Sequence, residues 1–451
     1  MDKYNINIIN TWFIVKVKNG KKILYKYLGS ESEIKIPDEI EIIGEDFKSA
    51  FVRRNNNVKS IVISNSVTSI SFLAFNNCTE LEHIEIPSSV KTIYVSAFND
   101  CEKLKYNEYE NGLYLGNKEN PYYALIKVKD KNISSFKIHN DTMIIADGIN
   151  GGGVFQDCVN LSKIEFTNNI KVISDSLFQN CTSLETIKIL DSVEKIYGWT
   201  FKNCKNLTSI EIPSSVNEIG TCAFENCNKL ERVEGVINDI GQEAFKNCSK
   251  LKTIKLSNEV KNIDWRAFKN CISLENLEIP SSVNEIGYNA FVGCTNLKYN
   301  EYENCLYLGN SENPYYALIS AKDKEITSYK VHKDTRVIAS GAFEDCKKLK
   351  TINFSEHITS LDGMCFKNCL SLESVEIPNT ITEINLYVFE ECKKLRSIVI
   401  PSSVKWIDPY AFYLCENLIL KVESGSYAED YAKKCDDKLS AEKYRIKYEI
   451  I

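Results

Sequence analysis

From Ile34 to about residue 420, apolar and polar positions recur in one order: I-x-I-P-S-S-V-x-x-I-x-x-x-A-F-x-x-C-x-x-L-x-x. Aligned on Phe-x-x-Cys, most neighbouring copies lie 23 residues apart, as do Phe178/Cys181, Phe201/Cys204 and Phe224/Cys227. Thirteen such pairs run from Phe75/Cys78 to Phe412/Cys415. One unit near Val233 is 21 residues long, and a degenerate first unit puts Phe51 and Arg54 at the two marks. A fixed period of this length predicts stacked coils, about fourteen of them, each unable to bury its apolar side alone.

Each part of the unit has a local reading. L-x-x-I-x-I ends in alternation, which predicts a short strand. Pro37, Pro87, Pro213, Pro280, Pro378 and Pro401 follow it directly, and proline cannot extend a ladder. The Ser pair suits a turn. A-F-x-x-C-x-x-L carries apolar residues every third position, which suits a 3₁₀ or short helical turn. Stacking at the strand spacing of about 4.8 Å makes every Phe a core residue, so Phe→Ala in a middle coil costs about 3–5 kcal/mol.

The run IEIPSSVxxIxxxAFxxCxxL resembles the BspA-type (Treponema pallidum-like) leucine-rich repeat. The resemblance covers most of the chain. It implies an α/β repeat solenoid, a leucine-rich-repeat-like superhelix with a parallel concave sheet. It also implies kinship with surface proteins of bacteria and mucosal protists, some of them adhesins.

Seventeen cysteines invite thoughts of metal or disulfides. Equivalent positions one coil apart have parallel side-chain vectors about 4.8 Å apart, whereas a disulfide needs Cβ atoms about 3.5–4.5 Å apart and facing each other. Metal sites want ligands clustered within a few residues, not a coil apart. The column therefore reads as buried structural thiols, with no metal and no cofactor, and fits a reducing setting. Cys222, Cys305, Cys365 and Cys435 fall outside the column.

Two segments interrupt the array: KYNEYENGLYLGNKENPYYALIKVKDKNISSFKIHNDT from Lys105 and KYNEYENCLYLGNSENPYYALISAKDKEITSYKVHKDT from Lys298. They are near copies 193 residues apart, so a block of about eight coils was duplicated. The insertions, about residues 105–133 and 298–326, read as β-hairpins leaving the stack. Their tyrosines Tyr122, Tyr123, Tyr315 and Tyr316 offer contact surface or fold down on the flank. Residues 1–33 form an N-terminal cap built on a hairpin at Asn19-Gly20. Residues 34–420 form the solenoid, and residues 421–451 a helix-strand cap opened by the capping box Ser426-Tyr427-Ala428-Glu429.

Net charge is −6 and no basic stripe stands out, which argues against a nucleic-acid partner. No apolar run is long enough to span a membrane, and the first residues do not read as a secretory leader. The missing leader and free thiols favour the cytoplasm; the family resemblance favours the cell surface. Outward strand residues are small hydroxyls or alternate in sign, so that face neutralises itself. Aromatics and Arg before the A-F pair either make a contact strip along one edge or stack on each other as part of the coil: Trp199, Arg266, Tyr387 and Tyr410, with Trp265, Tyr288 and Trp406 nearby. His139 with Asp141 and His332 with Asp334 repeat as architecture and lack a nucleophile. Gly148–Phe155 is glycine-rich without a strand–GxGxxG–helix setting, and absorbs extra length in its coil. The expectation is a non-enzymatic, monomeric scaffold that recognises a protein or glycan. The rival expectations are a structural or self-associating solenoid, and an enzyme acting through the inserts.

Overall fold

The structure is a computed structural model that describes residues 5–9, 12–45, 49–51, 57–148, 152–436 and 446–451. Arg54 and residues 149–151 of the glycine-rich run lie outside the described residues. The chain divides into two compact units, Met1–Gly235 and Val236–Ile451, and the same coil builds both.

Most coils carry two short strands that stack in parallel on neighbouring coils; around residues 237–256 isolated bridges take their place, and residues 274–280 form no strand. The first is three residues long: Glu33–Lys35, Ser60–Val62 and His83–Glu85 pair with Glu33↔Ser60↔His83 in register. The second is two residues long, as Ile42–Ile43, Ser69–Ile70 and Thr92–Ile93 show. The Pro-Ser-Ser segment turns the chain between them, and the Val90 amide donates to the Pro87 carbonyl at 3.1 Å. After the second strand the chain runs through successive three-residue turns, Cys78 N–H to Phe75 O and Leu81 N–H to Cys78 O, both at 3.1 Å. One such run, Val95–Phe98, is a regular 3₁₀-helix. Among the described residues the one α-helix is Tyr427–Asp436, so coil after coil is a β-solenoid with tight turns where longer repeats place helices.

The core is a set of columns. In the first unit Phe155, Phe178, Phe201 and Phe224 stack with centroids 5.2–5.5 Å apart and ring planes within 13°. In the second unit Phe343, Phe366, Phe389 and Phe412 do the same at 5.3–5.7 Å. Offset stacking of this kind lets rings pack at a spacing slightly longer than the strand ladder.

Asn19 and Gly20 both take positive φ, 51° and 78°, which a two-residue hairpin turn requires. They join Phe13–Lys18 to Lys21–Tyr27, and the second of these pairs in parallel with Ile42–Ile43. Tyr27 thereby adds a rung below Phe51, with centroids 5.5 Å apart. At the other end Ser426 Oγ accepts the Glu429 amide at 3.2 Å, and Glu429 Oε2 accepts the Gly425 amide at 2.7 Å. The strand Lys447–Ile450 then pairs in parallel with Ile419–Val422.

The inserts do not leave the stack. Asn107–Tyr109, Gly112–Leu115 and Ala124–Val128 form an antiparallel meander, and the last strand pairs in parallel with Ile144–Ile145. Asn300–Tyr302, Cys305–Leu308 and Ala317–Ala321 repeat this against Val337–Ile338. The physical reason lies in the residues: Tyr114, Leu115, Ala124, Leu125 and Ile126 are too apolar to stand in water, and all are buried. Each insert is therefore an extra rung, and counting Phe-x-x-Cys pairs undercounts the stack.

Candidate functional site

Most described coils have two left-handed positions, two residues before and two residues after the Phe; the coils of Phe98, Phe155 and Phe412 keep only the later one. The later one holds Asn180, Asn203, Asn226, Asn270 and Asn368, with φ between 61° and 65°. Asparagine tolerates this conformation and keeps an amide to spend. Asn203 Nδ2 donates to Asn180 Oδ1 at 2.7 Å, and Asn226 Nδ2 to Asn203 Oδ1 at 2.7 Å. Asn180 continues this ladder to Asp157 at 2.6 Å. In the second unit Asn270 bonds Asn247 at 2.8 Å, and Asn368 bonds Asp345 at 2.7 Å. The recurring thiols sit beside this ladder. Cys181, Cys204 and Cys227 each direct Sγ at the carbonyl of the Phe one coil earlier, at 3.1 Å. Cys271, Cys294, Cys392 and Cys415 repeat the contact at 3.0–3.2 Å. All seventeen cysteines are free, and all but the half-buried Cys435 are buried. Burial pushes the Cys158 and Cys346 thiols up to about 11, so they stay protonated donors at neutral pH.

The earlier left-handed position carries the strip expected from sequence. Trp199, Arg266 and Tyr387 have φ of 52°, 53° and 57°; the same place holds Asn289 and Gly341, types that adopt it at lower cost. Trp199 is exposed. Arg266 lies over the Trp265 ring at 4.0 Å and reaches Glu243 at 3.3 Å, so this pair is engaged with its own coil neighbours. Tyr288 donates its hydroxyl to Glu344 Oε2 at 2.7 Å. Tyr387 and Tyr410 come together, with centroids 5.6 Å apart, and Tyr413 closes a triangle at 6.2 and 6.0 Å. Tyr410 is 50 % exposed and Trp406 48 %. Tyr413 was missed by sequence reasoning because it follows the core Phe412, where the other coils carry Lys, Glu, Gln, Asn or Val and no aromatic.

The insert tyrosines split two ways. Tyr123 and Tyr316 are buried, and their hydroxyls donate to carbonyls of the preceding turn, Ser88 and Val90 at 3.0 and 2.9 Å, Ser281 and Val283 at 2.8 Å. They are removed from any contact surface. Tyr122 stacks on His139 at 3.9 Å and Tyr315 on His332 at 4.1 Å, with Tyr109 and Tyr302 edge-on to the same imidazoles at 4.8 Å. Each histidine is thus held by rings of its own insert, with Asp141 or Asp334 at 3.8 Å.

The inserts also wall a cleft that sequence reasoning did not anticipate. In the first unit an open cleft of ≈ 720 Å³ lies among Lys35, Asn65, Glu85, Pro87, Asn117 and Glu119. In the second an equivalent cleft of ≈ 640 Å³ lies among Lys255, Asn258, Glu278, Pro280, Asn310 and Glu312. Asn117 and Asn310 set its floor, donating to the Ile86 and Ile279 carbonyls at 2.9 Å. Elsewhere, outward charges cancel between or within coils, as in Lys195–Glu218 at 3.1 Å, Lys163–Glu165 at 2.7 Å and Lys348–Glu325 at 2.6 Å.

A model of the BspA type leucine rich repeat region matches residues 20–147, 126–236, 233–312 and 320–429. The chain belongs to the BspA-type leucine-rich repeat family. In fold, this BspA-type chain is similar to a leucine-rich cell surface protein of Faecalibacterium prausnitzii, at 24% identity over 95% of this chain and 97% of that one, TM-score 0.28. It is similar to a leucine-rich repeat protein of Eubacterium ventriosum at 19% identity over 67% and 98%, TM-score 0.38. The Treponema pallidum leucine-rich repeat protein aligns at 19% identity over 54% and 90%, TM-score 0.23. No curated protein matches the chain. No helix among the described residues is long and apolar enough to cross a membrane.

Proposed function

We propose that this BspA-type chain is a non-catalytic recognition scaffold that binds a protein or a glycan through side chains carried on a rigid repeat. The observation that supports it is the triangle of Tyr387, Tyr410 and Tyr413 on the second unit, with Trp406, four residues before Tyr410 in sequence, also exposed. Tyrosine gives large contact area with little rotamer entropy to lose, and aromatic clusters dominate binding hot spots.

The test is binding of the intact chain to a glycan array and to immobilised surface proteins. The triple variant Tyr387→Ala/Tyr410→Ala/Tyr413→Ala is run beside it, with Lys163→Ala/Glu165→Ala as the control on an outward strand. Loss of at least about tenfold in affinity with the triple variant alone supports the reading. Equal binding by all three proteins overturns it.

A further inference from the structure

The closing strand of the second unit, Lys447–Ile450, pairs with Ile419–Val422 on one side, and among the described residues no strand pairs with its other side. Edges of this kind are usually blunted by short length, charged side chains, proline or a bulge, and this four-residue strand carries the charges Lys447 and Glu449. Here Ile450 and Ile451 are exposed, Ile446 is buried on the core side and Tyr448 packs partly against the core.

Backbone polarity on the open side follows from the paired side. Ile451 donates its amide to the Val422 carbonyl at 3.0 Å, with Val422↔Ile450 and Leu420↔Tyr448 in register. Backbone groups alternate along a strand, so Lys447, Glu449 and Ile451 direct theirs inward to the neighbouring strand. Ile446, Tyr448 and Ile450 direct theirs outward. Residues 446–450 read Ile-Lys-Tyr-Glu-Ile, apolar at both ends with opposite charges flanking Tyr448, so the segment is self-complementary about Tyr448.

We propose that this edge pairs antiparallel with the same edge of a second copy of the chain, about a two-fold axis at Tyr448. In that register Tyr448 exchanges both backbone hydrogen bonds with Tyr448 of the second copy. Ile446 and Ile450 exchange theirs crosswise. Lys447 faces Glu449 twice, both times at the non-hydrogen-bonded sites, where side chains approach most closely, with Cα atoms about 4.5 Å apart. A shift of one residue would set Lys447 opposite Ile450 and lose both ion pairs. Isologous two-fold contact requires a self-complementary patch, and this strand is one in backbone, charge and apolar pattern together. The monomer expected from sequence becomes a dimer joined through its C-terminal strands. The proposal is independent of the aromatic triangle.

The experiment is sedimentation equilibrium of the full chain over about 1–100 µM, a range that brackets typical transient dimers. The native protein should approach twice the chain mass. Glu449→Lys sets lysine against lysine at both pairs and should raise the dimer dissociation constant at least about tenfold, while its melting temperature as a monomer is retained. The charge swap Lys447→Glu/Glu449→Lys rebuilds both pairs in reverse and should restore the dimer. A native protein that stays monomeric across the range overturns the proposal. So does a dimer that ignores Glu449→Lys, or a swap variant no tighter than the single variant.

Discussion

Asn203 sits at φ 62° with its amide in a ladder between Asn180 and Asn226. Two separable things are asked of it: a backbone that tolerates left-handed φ, and a side chain that both donates and accepts. Asn203→Ala fails both and should cost about 2–3 kcal/mol, from left-handed strain plus lost hydrogen bonds. Asn203→Gly keeps the backbone and loses only the ladder, and should cost about 1 kcal/mol less than the alanine variant. Urea denaturation of both variants checks the ordering; an alanine variant no worse than glycine would mean that the turn does not impose its φ. The cysteine three residues after Phe was legible as a buried thiol from spacing alone. Its partner was not, because Sγ reaches the carbonyl of the Phe 26 residues earlier, and a carbonyl leaves no mark in sequence. The Asn ladder was legible in principle: Asn, Asp or Gly stands before most column cysteines, and these are the residues that take left-handed backbone.

At the scale of elements, the inserts are where reading from sequence and folded chain differ. Antiparallel strands around the Glu-Asn-Pro turns were legible from alternation, but their destination depends on packing. Splicing an extra strand into a parallel ladder forks it. Ala339 still bonds Leu318 of the insert, while Ser340 bonds the Ile286 carbonyl of the older coil at 2.9 Å. The Ile286 amide at this fork is taken by Asp362, whose Oδ2 lies 2.7 Å away, with Ser360 Oγ donating to the other oxygen at 2.5 Å. Asp362 is fully buried, and that burial raises its carboxyl well above the usual range. Asp362→Ala leaves the Ile286 amide without an acceptor and should cost about 2–3 kcal/mol. Asp362→Asn keeps an acceptor and should lie within about 1 kcal/mol of the native chain at pH 5. A raised folded value means that native stability is full below the unfolded carboxyl range and declines as pH rises above about 4. The asparagine variant should therefore gain on the native chain between pH 5 and pH 8 in urea titrations. Parallel pH curves would show that Asp362 does not carry its charge cost in the folded state.

For the whole molecule, period and core come from one arithmetic: a coil of 23 residues returns every Phe, Cys, Leu and Ile to the same column. That is why the repeat fold could be read without a structure, and why the surface could not. A binding strip depends on which side chains outside the columns fall next to each other, and the columns do not constrain them. Tyr387 and Tyr410 were legible as a row because they share a column position; Tyr413 joins them only through the turn. The fold depends on the register that puts every column sulfur inside its unit. Its most direct test is titration of the native protein with a thiol reagent at pH 8, followed by the same titration in guanidinium. Folded protein should yield no more than about one or two reactive thiols of the seventeen, Cys435 first, and unfolded protein all seventeen. Rapid modification of most of the column in the folded protein would contradict it.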